Sequence, residues 1–328
     1  MKEYIKLIRP TNILFIILIM LLYRFAFILP TFYDIYNFEP ALNNLEYIIL
    51  ILITTITAAS GYIINDIYDS DIDLINKPQK VIIDKSIAVD DAYNFYKILC
   101  LISTLLTITL AILTNNYKLA TLPIIILVAL NFYAQFFKKQ FIIGNLIIAV
   151  FAALVILLPA LYESSTLTDD ITINQIKSGI FAAGLCYATF AFLSTWLREI
   201  VKDMQDIEGD KAFACQTIPI KLGIFKTKII NSIIILLIAT FIVSFTLFFP
   251  TIDVLYLNIY IYTLLLFPLV VLLIINWWSK SKKQFQVFGN LIKIYMLIGV
   301  CTMIYFIYAS GTGSYIFMQY FSFIKKII

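Results

Sequence analysis

Nine apolar runs, each about long enough to cross a bilayer, constrain this 328-residue chain more than any other feature. They fall near 11–29, 46–64, 93–113, 119–137, 141–161, 176–197, 228–249, 254–277 and 287–309. Roughly 20 helical residues span the hydrocarbon layer, and within one segment only a helix satisfies every backbone N–H and C=O there. Soluble domains carry about 45–50% apolar and about 25% charged residues. This chain has 62% and 13%, with a mean hydropathy of +0.94. The predicted fold class is all-α, a polytopic membrane bundle of nine transmembrane helices forming one domain over 1–328. The tail 310–328 is apolar, short and aromatic and reads as an interfacial segment. The first run contains Arg24 and no small-residue cleavage site, so a cleaved leader is not expected.

The loops alternate in charge. Seventeen of the 24 Lys and Arg fall in the N-terminus and in loops 65–92, 138–140, 198–228 and 278–286. The opposite loops and the C-terminus hold Lys118, Lys177, Lys325 and Lys326, together with Asp34, Glu39, Glu46, Glu163, Asp169 and Asp170. By the positive-inside rule the N-terminus is cytoplasmic, and a multi-pass protein of the cytoplasmic (inner) membrane is expected. Arg24 lies inside the first span, where an ionisable side chain works, pairs or snorkels to the interface.

Two stretches carry the same spacing of acids, Asp66-x-x-Asp69-x-x-x-Asp73 and Asp203-x-x-Asp206-x-x-x-Asp210. Offsets of three and four put each trio on one helical face, with Asp71 off it. Like charges so placed repel, so the arrangement suits a strongly positive occupant. Each trio follows an apolar run, opens one of the two largest loops on the predicted cytoplasmic side, and recurs after four intervening spans as a weak internal duplication. Mg²⁺ takes oxygen ligands, keeps several waters and bridges one or two carboxylates to substrate phosphates. The bland alternative is a solvated acidic helix end, and the matched pair argues against it. Lys77 and Lys80 follow the first trio, and Arg198 and Lys202 precede the second. Cations there would neutralise a bound diphosphate. Lys211, Lys221, Lys226 and Lys228 read as membrane-face anchors.

With no histidine in the chain, His-based general bases, His-ligated haem and most zinc enzymes are excluded. Cys100, Cys186, Cys215 and Cys301 form no CxxC pair, so neither disulfides nor zinc are expected.

At these residues the chain resembles the UbiA superfamily of intramembrane prenyltransferases. The family motif N-D-x-x-D-x-x-x-D reads Asn65, Asp66, Asp69, Asp73, and the following N-[KR]-P-x-[KR] reads Asn76, Lys77, Pro78, Lys80. The second motif is matched by Asp203, Asp206 and Asp210, and the N-terminal R-P-x-N by Arg9, Pro10 and Asn12. The middle element Y-S-x-x-x-K-R with G-N is matched by Tyr133, Lys138, Gly144 and Asn145, with Ala134 in place of Ser and Lys139 in place of Arg. The string from Arg198 to Lys211, with Thr217-Ile-Pro219 and Leu222-Gly223, looks most like the branch that includes digeranylgeranylglyceryl phosphate synthases.

The resemblance implies a UbiA-like bundle with a cytoplasmic-side active site and Mg²⁺ on Asp66, Asp69, Asp73, Asp203, Asp206 and Asp210. It implies substrate contacts from Arg9, Asn12, Asn65, Lys77, Lys80, Tyr133, Lys138, Lys139, Arg198 and Lys202. The implied partners are an isoprenyl diphosphate such as geranylgeranyl diphosphate, a lipophilic acceptor and membrane lipid, with no nucleic acid. Ionisation of the allylic C–O bond and attack on carbon 1 by the acceptor need no protein nucleophile. A prenylglycerol phosphate hydroxyl is the expected acceptor. An aromatic quinone precursor such as 4-hydroxybenzoate or dihydroxynaphthoate is the alternative. A haem-forming member is disfavoured by the missing histidine. Outside the family, a cation-coupled transporter would place its acids mid-span and use paired broken helices. A CDP-alcohol phosphotransferase would set glycines and Ala-Arg between the acids. Neither pattern is present.

Overall fold

The computed structural model describes residues 2–30, 39–165, 170–248 and 255–308; the tail 310–328 lies outside them. Among the described residues nine helices are long and apolar enough to cross a membrane, as expected: α1 Pro10–Ile28, α2 Asn44–Asn76, α3 Val89–Thr114, α4 Tyr117–Gln135, α5 Ile143–Ser164, α6 Ile173–Ala212, α7 Ile218–Thr246, α8 Leu257–Trp278 and α9 Lys282–Ile307. A short helix, Lys2–Leu7, precedes α1.

Two helices outrun their apolar cores. Helix α2 continues twelve residues past the predicted end at 64, and α6 continues through Ala212, so the expected loops 65–92 and 198–228 are largely helical. The reason lies in the buried face. Ile67 and Ile72 prolong the apolar stripe of α2, and Ile200, Val201 and Met204 prolong that of α6, at less than 10% exposure each. Only 213–217 separates α6 from α7, which is bent at Gly223. Lys226 and Lys228 therefore stand inside α7 rather than in a loop.

The chain forms two compact units. The first comprises Met1–Met20, Leu42–Ile147 and Asp206–Lys221, and the second Leu21–Ala41, Ile148–Gln205 and Leu222–Ile328. In the first, α2 packs against both α3 and α4. Its start is set by a reciprocal capping box: Asn43 Oδ1 accepts the Glu46 N–H at 3.0 Å, and Glu46 Oε2 accepts the Asn43 N–H at 2.8 Å. The Thr57 and Ser103 hydroxyls bond at 2.8 Å and tie α2 to α3 inside the apolar layer. Two residues suffice to turn α3 into α4, with Asn115 left-handed (φ 52°) and Asn116 accepting the Leu119 N–H at 3.2 Å. The segment after α2 is pinned by Ile83 and Ile87, which pack with Leu7, Ile63, Ile64, Ile67 and Ala134.

In the second unit the Tyr23 hydroxyl donates to the Ile180 carbonyl at 2.6 Å, and the Phe27 ring lies against Tyr187 and Phe306. Arg24 opens a π-helical turn, Arg24–Ile28, and is 4% exposed, so it does not snorkel to the interface. At one end of this unit Asn276 accepts a hydrogen bond from Asn231 at 3.1 Å and donates to the Lys228 carbonyl at 2.8 Å. The Lys228 ammonium donates to the carbonyls of Trp277 (2.9 Å) and Ser279 (2.6 Å). These groups close the C-terminus of α8, where free carbonyls and the helix dipole favour a cation.

Candidate active site

The first acidic stretch occupies the last turns of α2. Asp69 is buried, Asp66 and Asp73 are half-buried, and Asp71 is exposed off their face, as the spacing predicts. The helix stops where Lys77 leaves helical geometry (φ −146°, ψ 57°), its N–H bonded to the Asp73 carbonyl at 2.7 Å, and Pro78 cannot continue it.

In the first unit three of the acids each hold a basic side chain. Arg9 pairs with Asp66, Lys138 with Asp69, and Lys77 with Asp206 at 2.5 Å. Asn65 adds a bond from its amide nitrogen to Asp69 Oδ2 at 2.6 Å. Arg9 sits at a left-handed backbone position (φ 53°) between the short first helix and α1, and its guanidinium lies 4.9 Å from the centroid of the Tyr62 ring. Lys138 belongs to a 3₁₀ turn, Phe137–Lys139, folded tightly onto the start of α5. A Cβ at Gly144 would stand 2.9 Å from the Phe137 carbonyl oxygen and 3.0 Å from that of Lys138, so only glycine admits this approach.

The other expected residues take different places. The Lys139 carbonyl accepts the Gln216 N–H at 2.8 Å, which ties this turn to the segment after α6. Asn12 lies in the first turn of α1, half-buried, with its N–H on the Arg9 carbonyl at 2.9 Å. Tyr133 is buried on α4; Ala134, where the family pattern has Ser, is 2% exposed and packs into the apolar cluster under α2. Lys80 is exposed on the turn after α2. On the α6 segment of the second unit, Arg198 and Lys202 both bond Glu199, at 2.6 and 3.5 Å, and Glu199 is 7% exposed. Asp203 is half-buried one turn further along the same helix, on the face that Asp206 and Asp210 continue.

Three further positions carry this geometry, and for none of them does the sequence reading above give a partner. Asn76 and Gly209 bond each other, Asn76 Oδ1 accepting the Gly209 N–H at 2.8 Å. Glu199 gathers the two cations of α6. All three lie inside the matched motifs, but nothing in their type announces a partner.

The donor set fits a hard divalent cation. Asp206 is 7% exposed; its Oδ2 takes Lys77, while its Oδ1 is buried with no hydrogen-bond partner. A buried carboxylate oxygen without a donor is costly, and oxygen-only sites favour Mg²⁺-like ions. Among the described residues no three acids converge closely enough to share one ion. That separation suits ions held by one or two carboxylates and completed by water and phosphate oxygens.

Residues 28–297 match the model of the UbiA prenyltransferase family. Digeranylgeranylglyceryl phosphate synthase of Methanosphaera stadtmanae is 32% identical over 299 residues, covering 91% of this chain and 96% of that protein. The enzyme of the same name from Sulfurisphaera tokodaii is 30% identical over 240 residues, covering 73% and 80%. A solved structure concerning digeranylgeranylglyceryl phosphate synthase in membranes superposes with a TM-score of 0.63 at 26% identity, over 93% of this chain and 98% of that one. The family match runs from the π-turn of α1 into α9 and takes in both acidic stretches. With so little of the chain outside that match, this multi-pass membrane protein belongs to the UbiA prenyltransferase family and is a prenyltransferase.

Proposed function

We propose that the protein transfers a prenyl group, of geranylgeranyl type, from its diphosphate to the hydroxyl of a prenylglycerol phosphate in a Mg²⁺-dependent reaction. The observation that carries this reading is the gathering, within one compact unit, of acids from α2 and α6 with Arg9, Lys77 and Lys138. Acids alone would repel a diphosphate, and cations alone would not hold a metal. The alternation serves a metal–diphosphate pair. The names of the relatives support the glycerophosphate acceptor.

In this reading Asp66, Asp69, Asp73, Asp206 and Asp210, with Asp203 on the same face of α6, hold Mg²⁺. Bound there, the ion would offset charge on the diphosphate and make it a better leaving group. Arg9, Lys77 and Lys138 donate to non-bridging diphosphate oxygens. Lys80, Lys139, Arg198 and Lys202 add positive potential. Asn12, Asn65 and Tyr133 orient the motif side chains and the donor. The prenyl chain lies among apolar side chains in the hydrocarbon layer, where water is scarce and an allylic cation is protected. We assign the acid-bearing helix ends to the cytoplasm and the protein to the cytoplasmic membrane on the charge bias of the loops. The chain acts as a single catalytic domain, since the family match draws on both compact units.

The test is transfer by the purified protein in detergent, with Mg²⁺ and labelled geranylgeranyl diphosphate. Geranylgeranylglyceryl phosphate is offered in one reaction and 4-hydroxybenzoate or 1,4-dihydroxy-2-naphthoate in others. Label is expected on the glycerol hydroxyl, abolished by chelation and by Asp69→Ala or Asp206→Ala in folded protein. Label on the aromatic ring alone would overturn the acceptor assignment, and full activity in either variant would overturn the metal assignment.

A further inference from the structure

The cations that pair with the acids cover them from the solvent side. Counting side-chain atoms alone, Lys77 is 28% exposed over an Asp206 carboxylate side chain at 10%, and Lys138 is 25% over an Asp69 side chain at 6%. Arg9 is 36% exposed over an Asp66 that is 21%. A divalent ion approaching these carboxylates meets an ammonium or guanidinium group already in place. The backbones beneath these cations are anchored independently, by Lys77 N–H to Asp73, Lys139 C=O to Gln216, and Arg9 N–H to the Lys6 carbonyl at 3.1 Å. The long side chains can therefore swing while their elements stay put.

We infer that Lys77, Lys138 and Arg9 are built-in cations that compete with the metal for the acids and pass to the diphosphate when it binds. This rests on the metal-dependent reading above. Metal alone binds weakly, because each ion must displace a paired cation and leave it without an anion. Diphosphate alone binds weakly, because its cations are engaged. Together each supplies what the other displaces, so the two bind cooperatively, and the coupling is the same in both directions. The device keeps the buried Asp206 carboxylate paired between turnovers and disfavours a metal-loaded site without a donor substrate.

The test uses Mn²⁺ as a paramagnetic probe of the full-length protein in detergent, with affinity read by electron paramagnetic resonance. Lys77→Met is expected to tighten Mn²⁺ binding in the absence of diphosphate by about tenfold, within the usual range of coupling between sites. Lys85→Met makes the same charge change at an exposed lysine bonded to the Pro78 carbonyl, and should move the affinity less than about twofold. Equal effects of the two variants, or no tightening in Lys77→Met, would overturn the proposal. A second measurement needs no variant. Amine-reactive labelling of the wild-type protein, read by mass spectrometry, should modify Lys77 faster with Mn²⁺ alone and slower once inorganic diphosphate is added, with Lys85 as internal reference. A Lys77 rate that follows neither addition would also overturn it. Neither readout requires turnover, so failure of the prenyl-transfer reading and failure of the competition are separable.

Discussion

The side-chain oxygen of Asn76 accepts the Gly209 N–H at 2.8 Å, so the residue that ends α2 is bonded into the last turns of α6. Asp73 lies three residues before Asn76, and Asp210 directly follows Gly209. The two acidic motifs are thus held together by a neutral, buried bond rather than by the acids, which repel. A Cβ at position 209 would stand 2.5 Å from the Asn76 amide nitrogen, so close contact requires glycine. Gly209→Ala is expected to destabilise by about 1–3 kcal/mol through overpacking, and to lower turnover more than its thermal shift accounts for. Asn76→Ala should cost about as much by leaving the contact unmade. Thermal unfolding in detergent beside initial rates checks both. Wild-type rates in Gly209→Ala would show that the motif spacing does not depend on this contact.

Glu199 gathers Arg198 and Lys202 on α6 while itself 7% exposed. Glu199→Gln keeps the shape and removes the charge that aims both cations. The Michaelis constant for the prenyl diphosphate is expected to rise about tenfold, since hydrogen bonds to charged groups contribute about 1.5–3 kcal/mol. The constant for the acceptor should move less. A larger change in the acceptor constant would assign Glu199 to the acceptor side.

Lys228 closes the end of α8 through the Trp277 and Ser279 carbonyls. Lys228→Met keeps most of the aliphatic stem but strands those two acceptors. A loss of about 1–3 kcal/mol in stability is expected, with specific activity retained at temperatures where the variant is folded. Differential scanning fluorimetry in detergent gives the first quantity, and an unchanged midpoint would show that water replaces the ammonium at no cost.

Ile83 and Ile87, at 2% and 6% exposure, anchor the segment that leads away from Lys77. Ile83→Ala removes packing worth about 2–5 kcal/mol at a buried site. The segment should then open locally, and trypsin should cut at Lys80 and Lys85 faster than in the wild type. Limited proteolysis followed by mass spectrometry measures this, and unchanged cleavage would mean that α2 and α3 hold the segment without Ile83.

The all-α class, the nine spans and the shared face of each acidic trio were readable from sequence because each rests on a local rule. Hydrocarbon demands about 20 apolar helical residues per crossing, and offsets of three and four fall on one face of any α-helix. The paired motifs likewise pointed to the family on which the comparisons agree. The helix ends were not readable. The polar stretches after 64 and 197 look like loops until Ile67, Ile72, Ile200 and Val201 are seen to be buried. Nor were the partners. Arg9 meets Asp66 across 57 residues, Lys138 meets Asp69 across 69, Lys77 meets Asp206 across 129, and Asn76 meets Gly209 across 133. Hydropathy and periodicity act over a turn or a bilayer thickness. Which cation covers which acid is a question of packing between distant segments, and only the tertiary structure answers it.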